Sequence, residues 1–163
     1  MQILQVAVLV LATMTTALVT GLFYGFAMSV LVAMRDVDDR TYVEVNQKIN
    51  RAILNGRFMV IFLGSVLLSA LAAVLLLAGD RGAALAPAGL AFALNLVAFL
   101  VTGGGNVPLN KQLDAAGRPD TMAHPTRVRT RYEAPWTRLN SIRTALHFAA
   151  FGCLCWALVA FGF

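Results

Sequence analysis

Four uncharged runs of bilayer length alternate with short polar segments along these 163 residues, and that spacing limits what the chain can fold into. A hydrocarbon core of roughly 30 Å needs about 20 apolar helical residues. The runs Ile3 to Met34, Phe58 to Gly79, Ala83 to about Gly104, and about Thr144 to Phe163 meet that requirement. Charged residues make up 13% of the chain, against about 25% in a soluble domain. The expected fold is therefore all-α: a four-transmembrane-helix bundle forming a single integral membrane domain over 1–163. Its helices are expected at about 3–34, 58–79, 83–104 and 136–163, with an amphipathic helix in the first loop and an irregular third loop.

The first run is read as a retained helix and not a signal peptide. No Lys or Arg precedes it and no small-residue cleavage site closes it. It also exceeds the 7–15 residues or so of a signal's apolar region.

Charge sets the expected topology. The first loop holds Arg35, Arg40, Lys48, Arg51 and Arg57, and the third holds Lys111, Arg118, Arg127, Arg129, Arg131, Arg138 and Arg143. The second has only Asp80 and Arg81. The positive-inside rule puts loops one and three in the cytoplasm and both termini outside, in a plasma membrane. The basic run at 127–131 reads as a surface facing anionic headgroups. Without a soluble domain it argues against a nucleic-acid partner.

Local signals refine the picture. Gly21 and Gly25 have the small-xxx-small spacing that permits close helix approach. Asp38 or Asp39 is placed to cap the first-loop helix, over about 39–54, with Tyr42, Val45, Ile49, Ala52 and Ile53 on its apolar face. Glu44, Gln47, Lys48 and Arg51 fall on the other face. Asn46 and Asn50 stack four apart, which suggests shared hydrogen bonding. Gly103, Gly104 and Gly105 are expected to end helix three, and Pro135 to start the last helix at its first turn. Cys153 and Cys155, two apart on one helix, point to different faces and are read as packing residues.

The sharpest signal is in the last helix. Asn140, Arg143, Thr144 and His147 share one face that runs into an apolar span. An ionisable group there is costly unless it is paired or faces a cavity. No acidic residue occurs in any of the four apolar runs. Arg143 must therefore meet a loop acid, carbonyls, amides or an anionic ligand. Asn106, Asn110 and Asn50 are at a suitable depth. With Trp136, Phe58 and Tyr132 around them, they would suit a planar phenolic or enolate-like molecule. The two histidines, His124 and His147, form no metal-ligand spacing, although haem or metal through His147 stays open. Nucleotide-binding and nucleophile-elbow motifs are absent from the sequence.

The strings Asn106-Val-Pro-Leu-Asn110 and Trp136-Thr-Arg-Leu-Asn140-Ser-Ile-Arg143-Thr144 resemble the anthrone oxygenase family of small four-helix membrane proteins. So do Gly21-Leu-Phe-Tyr-Gly25-Phe26 and Gln47-Lys-Ile-Asn50 followed by Phe58. Arg138 and Leu139 depart from a tryptophan-rich stretch expected there. The resemblance implies oxygenation of an anthrone-type polyphenol to a quinone by molecular oxygen, with no flavin or haem. Asn50, Asn106, Asn110, Trp136, Asn140 and Arg143 match the family pattern. On that reading His147 is the base, and Arg143, Asn140 and Asn110 stabilise the developing anion. Asn50, Asn106, Trp136 and Phe58 would hold the substrate, a hydrophobic aromatic molecule drawn from the lipid bilayer. Two alternatives stand beside it: a non-catalytic membrane subunit or lipid- or quinone-binding protein, and a haem or metal protein using His147. Assembly as a homo-oligomer is left open.

Overall fold

The computed structural model describes residues 1–79 and 82–162. The second-loop charges Asp80 and Arg81 lie outside the described residues, as does Phe163. Four helices are long and apolar enough to cross a membrane: α1 (Gln2–Ala33), α3 (Gly56–Ala78), α4 (Gly82–Ala115) and α5 (Pro125–Phe161). A fifth, α2 (Asp39–Ala52), fills the first loop. The long helices pack as a ring in which α1 and α4 each lie against both α3 and α5. Between them the core is made of small side chains, with Ala12, Ala72, Ala84, Ala88, Ala91, Ala150 and Ala157 around Leu9, Leu76 and Leu154. Lipid tails are as apolar as leucine, so helices in a bilayer gain from close backbone approach more than from hydrophobicity.

The 37 residues of α5, at about 1.5 Å each, span roughly 55 Å, well beyond a hydrocarbon layer of about 30 Å. The excess forms a cap at the end holding loops one and three. There α2 packs on the start of α5 and the end of α4. Asp38 caps α2, accepting from the Arg40 and Thr41 amides at 3.1 Å each. The Thr41 hydroxyl bond, with those amides, holds this carboxyl below the usual carboxylate range. Burial pushes the Tyr42 phenol up. Gln47 closes the end of α4 by donating to the Leu113 and Gly117 carbonyls at 2.8 and 3.0 Å. Gly117 turns the chain there with φ 89°. Arg40 reaches across to the carbonyls of Pro119 and Met122.

Several sequence expectations are corrected. The three glycines do not end helix three. The chain widens into one π turn over Thr102–Asn106, in which the Val107 amide donates to the Thr102 carbonyl, and then continues to Ala115. The wide turn absorbs the missing amide of Pro108, so the proline does not break the helix. Gly105 serves close approach: a Cβ there would lie 2.8 Å from Leu139 Cδ1 on α5.

Nor does Pro135 start the last helix. That helix begins at Pro125 and carries Pro135 inside it. Side chains bridge the turns around Pro135: Arg129 pairs with Glu133 at 2.7 Å, and Tyr132 stacks on Trp136 with centroids 5.9 Å apart. The irregular part of the third loop is thus confined to 116–124, including a short 3-10 turn over Pro119–Thr121.

The first-loop helix stops at Ala52, two residues short of the expected end. It buries Asn46 and Gln47, since its neighbour on that side is protein and not lipid. Asn46 donates to its own helix at the Tyr42 carbonyl, whereas Asn50 donates to the Tyr132 hydroxyl, so the two share no work. Gly21 and Gly25 meet no other helix among the described residues, as a Cβ at either would touch nothing within 4 Å.

Candidate functional site

Beneath the cap, α1, α2, α3, α4 and α5 enclose a cavity of about 180 Å³. Its walls are mostly apolar (Phe23, Phe26, Ile53, Phe58, Met59 and Phe62 among them), and its polar lining is Asn50, Thr102, Asn106, Asn110 and Arg143. Of the eight residues to which the sequence points, Asn50, Phe58, Asn106, Asn110, Trp136 and Arg143 line this space. Asn140 and His147 do not. Both are fully buried behind it.

Each polar group is positioned by identifiable partners. Asn110 Oδ1 accepts from Trp136 Nε1 at 2.8 Å and from the Tyr132 hydroxyl at 3.2 Å, and Asn50 Nδ2 donates to that same hydroxyl at 3.2 Å. One amide from α4 and one from α2 thus fix Trp136, which lines the cavity, and Tyr132, which stacks on it. An Asn110→Leu variant leaves both ring donors without that acceptor. It should cost about 1–3 kcal/mol for the unmade bonds, read as a lower midpoint of thermal unfolding in detergent. Asn106 donates to the Trp136 carbonyl at 3.4 Å, and its Oδ1 has no partner among the described residues.

Arg143 is the unusual member. It is 7% exposed. Its Nε and Nη2 donate to Asn140 Oδ1 at 3.2 and 2.9 Å, and its guanidinium lies 3.8 Å from the Phe23 ring centre and 5.3 Å from that of Trp136. Cation–π contact offsets part of the desolvation cost. Among the described residues no carboxylate pairs with it. The third loop's acids and α2's Glu44 pair with other cations.

His147 lies one turn deeper, packed against Phe23 and Phe62 with ring centres 5.7 and 6.4 Å away. Both phenylalanines also line the cavity. Its Nδ1 is 2.9 Å from Asn95 Oδ1, and its Nε2 has no partner among the described residues. Asn95 is the residue that sequence reasoning misses. The signal for it is a lone amide in the otherwise apolar run of helix three, and polar groups at that depth join helices or serve a site. Asn95 Nδ2 reaches Ser65 O at 3.0 Å, Thr16 Oγ1 at 3.1 Å and Ser69 Oγ at 3.4 Å. One side chain therefore ties α1, α3, α4 and α5 together. No group of three or more potential metal-binding side chains occurs among the described residues.

These features define a class: a four-helix membrane bundle with a small aromatic cavity at one end and, in its wall, a buried arginine that no described carboxylate neutralises. The model of the anthrone oxygenase family matches residues 58–153, over half of the chain, and the chain belongs to that family. The match takes in Phe58, Asn95, Asn106, Asn110, Trp136, Asn140, Arg143 and His147, while Asn50 precedes it. No curated protein and no solved structure matches.

Proposed function

We propose that this protein is a cofactor-independent oxygenase that converts a hydrophobic anthrone-type polyphenol to a quinone with molecular oxygen. The observation that carries this reading is Arg143, a buried cation that lines an apolar cavity and has no acidic partner among the described residues. A planar substrate whose charge appears only during reaction suits such a site, because preorganised donors act where charge develops.

In the proposed reaction the substrate methylene loses a proton to His147 Nε2. The electron pair passes into the carbonyl, giving a phenolate-like oxygen beside Arg143 and Asn110. That anion transfers an electron to dioxygen, and the resulting radicals join to form a C–O bond. Protonation gives a hydroperoxide. Loss of the second methylene hydrogen as a proton, with O–O cleavage, yields the quinone carbonyl and water. One dioxygen is consumed per quinone. Access of the methylene to His147 requires Phe23 or Phe62 to turn aside, and Asn140 acts by holding Arg143. The twelve cations flanking loops one and three favour a cytoplasmic cap. The substrate is then drawn from the cytoplasmic leaflet of a plasma membrane.

The test is oxygen uptake by the purified protein in nanodiscs supplied with an anthrone, with labelled dioxygen. The expected result is uptake well above spontaneous autoxidation and one labelled oxygen in the quinone. Tight binding with no added uptake would support a lipid- or quinone-binding role instead.

A further inference from the structure

We infer that Asn95 is a positioning residue that fixes His147 in the tautomer protonated at Nδ1, leaving Nε2 as a bare acceptor. The role of that acceptor as the base rests on the oxygenase reading above.

Ser65 fixes the first orientation. Its main-chain carbonyl can only accept, and it lies 3.0 Å from Asn95 Nδ2. The Ser69 hydroxyl spends its one proton on the carbonyls of Ser65 and Val66, so towards Asn95 it too can only accept. The nitrogen of the Asn95 amide must therefore face this side. Turned over, the amide would set its oxygen against two acceptors in a buried, apolar region, and a mismatch of that kind costs about 1–3 kcal/mol. With the nitrogen so placed, Asn95 Oδ1 faces His147 Nδ1 at 2.9 Å. An amide oxygen cannot donate, so Nδ1 carries the hydrogen. A neutral imidazole donating from Nδ1 presents a lone pair at Nε2. Nε2 is buried without a partner among the described residues, on a ring packed against two side chains that line the cavity. A buried acceptor left unmet calls for a partner, and in the oxygenase reading that partner is the substrate's proton. Asn95 does not line the cavity, and the contact by which it acts on the proposed site is the one to His147.

The experiment combines nitrogen NMR of protein labelled at its two histidines with steady-state kinetics. The His147 resonance is assigned by its loss in His147→Gln. In the parent, Nδ1 should show the protonated signal and Nε2 the unprotonated one. Asn95→Leu should mix the two tautomers. It should lower kcat in proportion to the share of His147 that becomes protonated at Nε2, with KM unchanged, since only the other tautomer offers Nε2 as an acceptor. Asn95→Gln keeps an amide whose oxygen can accept from Nδ1 and whose nitrogen can donate towards Ser65, and should restore part of both the signal and kcat. If Asn95→Leu does not fold, the parent spectrum and Asn95→Gln decide the matter alone. A parent protonated at Nε2, or an Asn95→Leu variant with low kcat and an unmixed Nδ1–H signal, overturns the inference. A parent with the Nδ1–H signal and no oxygen uptake overturns the oxygenase reading and leaves the tautomer assignment standing.

Discussion

Replacing Arg143 with methionine is expected to remove turnover and leave the fold intact. The two halves of that result have different causes. Arg143 is the one cation lining the cavity among the described residues. Loss of a preorganised donor aimed at a developing oxyanion generally costs about 10²–10³ in kcat. Stability should move little, because a buried ion without a counter-ion carries a desolvation cost that an apolar side chain of similar length does not. Against that gain stands Asn140 Oδ1, which loses its two bonds from Arg143. Lysine should recover part of the rate only. It restores charge but neither the planar stack on Phe23 nor the two-point hold on Asn140. The measurement is anthrone-dependent oxygen uptake beside a melting curve on the same sample. A folded Arg143→Met protein that oxidises the substrate as fast as the parent would show that the site lies elsewhere.

The bundle is legible in sequence because bilayer length and charge exclusion leave few alternatives, and four spanning helices follow from four uncharged runs. Helix ends are not legible where a rule for isolated helices meets tertiary packing. Gly103 to Gly105 read as a stop, yet in the structure they allow a π turn and a close pass of α4 by Leu139. Pro135 reads as a start, yet it lies inside a helix that begins ten residues earlier at Pro125, with Tyr132 stacked on Trp136 across it. The glycines of α1 show the converse: Gly21 and Gly25 have a packing spacing, but no helix among the described residues lies against them.

The site is half legible for a related reason. Residues near the charged end announce themselves by polarity, so sequence alone puts Asn50, Asn106, Asn110 and Arg143 at one depth. It does not reveal which of them face the cavity and which stand behind its wall. His147 and Asn140 follow the same helical face as Arg143, yet α1 closes over His147 with Phe23, and α3 covers it with Phe62. Asn95 is hidden because a single amide in a long apolar run carries no periodic signal. Its role appears only when α1, α3 and α5 bring Thr16, Ser65 and His147 around it.

The second large effect is expected outside the cavity lining, at Arg129. This side chain is 14% exposed and ties the cap to the bundle through several partners at once. It donates to the carbonyls of Val37 at 2.8 Å, Arg35 at 3.1 Å and Met34 at 3.3 Å, where the end of α1 has run out of helical amides. It also pairs with Asp39 at 3.2 Å and Glu133 at 2.7 Å, and lies over the Tyr42 ring at 4.4 Å. Arg129→Met would orphan three carbonyls and leave two half-buried carboxylates facing each other. Breaking a buried pair from one side costs about 3–5 kcal/mol, and the partial exposure of these acids argues for the lower end. Lysine should rescue little, because a single ammonium cannot serve two carboxylates and three carbonyls at once. Adding Glu133→Leu to Arg129→Met should recover part of the loss, since it removes one of the stranded charges. A melting midpoint unchanged in Arg129→Met would refute this account of the cap. The consequence for function runs through α2, whose Asn50 lines the cavity and donates to Tyr132. A loosened cap should therefore raise KM while kcat, which the proposed mechanism assigns to Arg143 and His147, stays near the parent value. That split separates a residue that shapes the cavity from one that acts on what enters it.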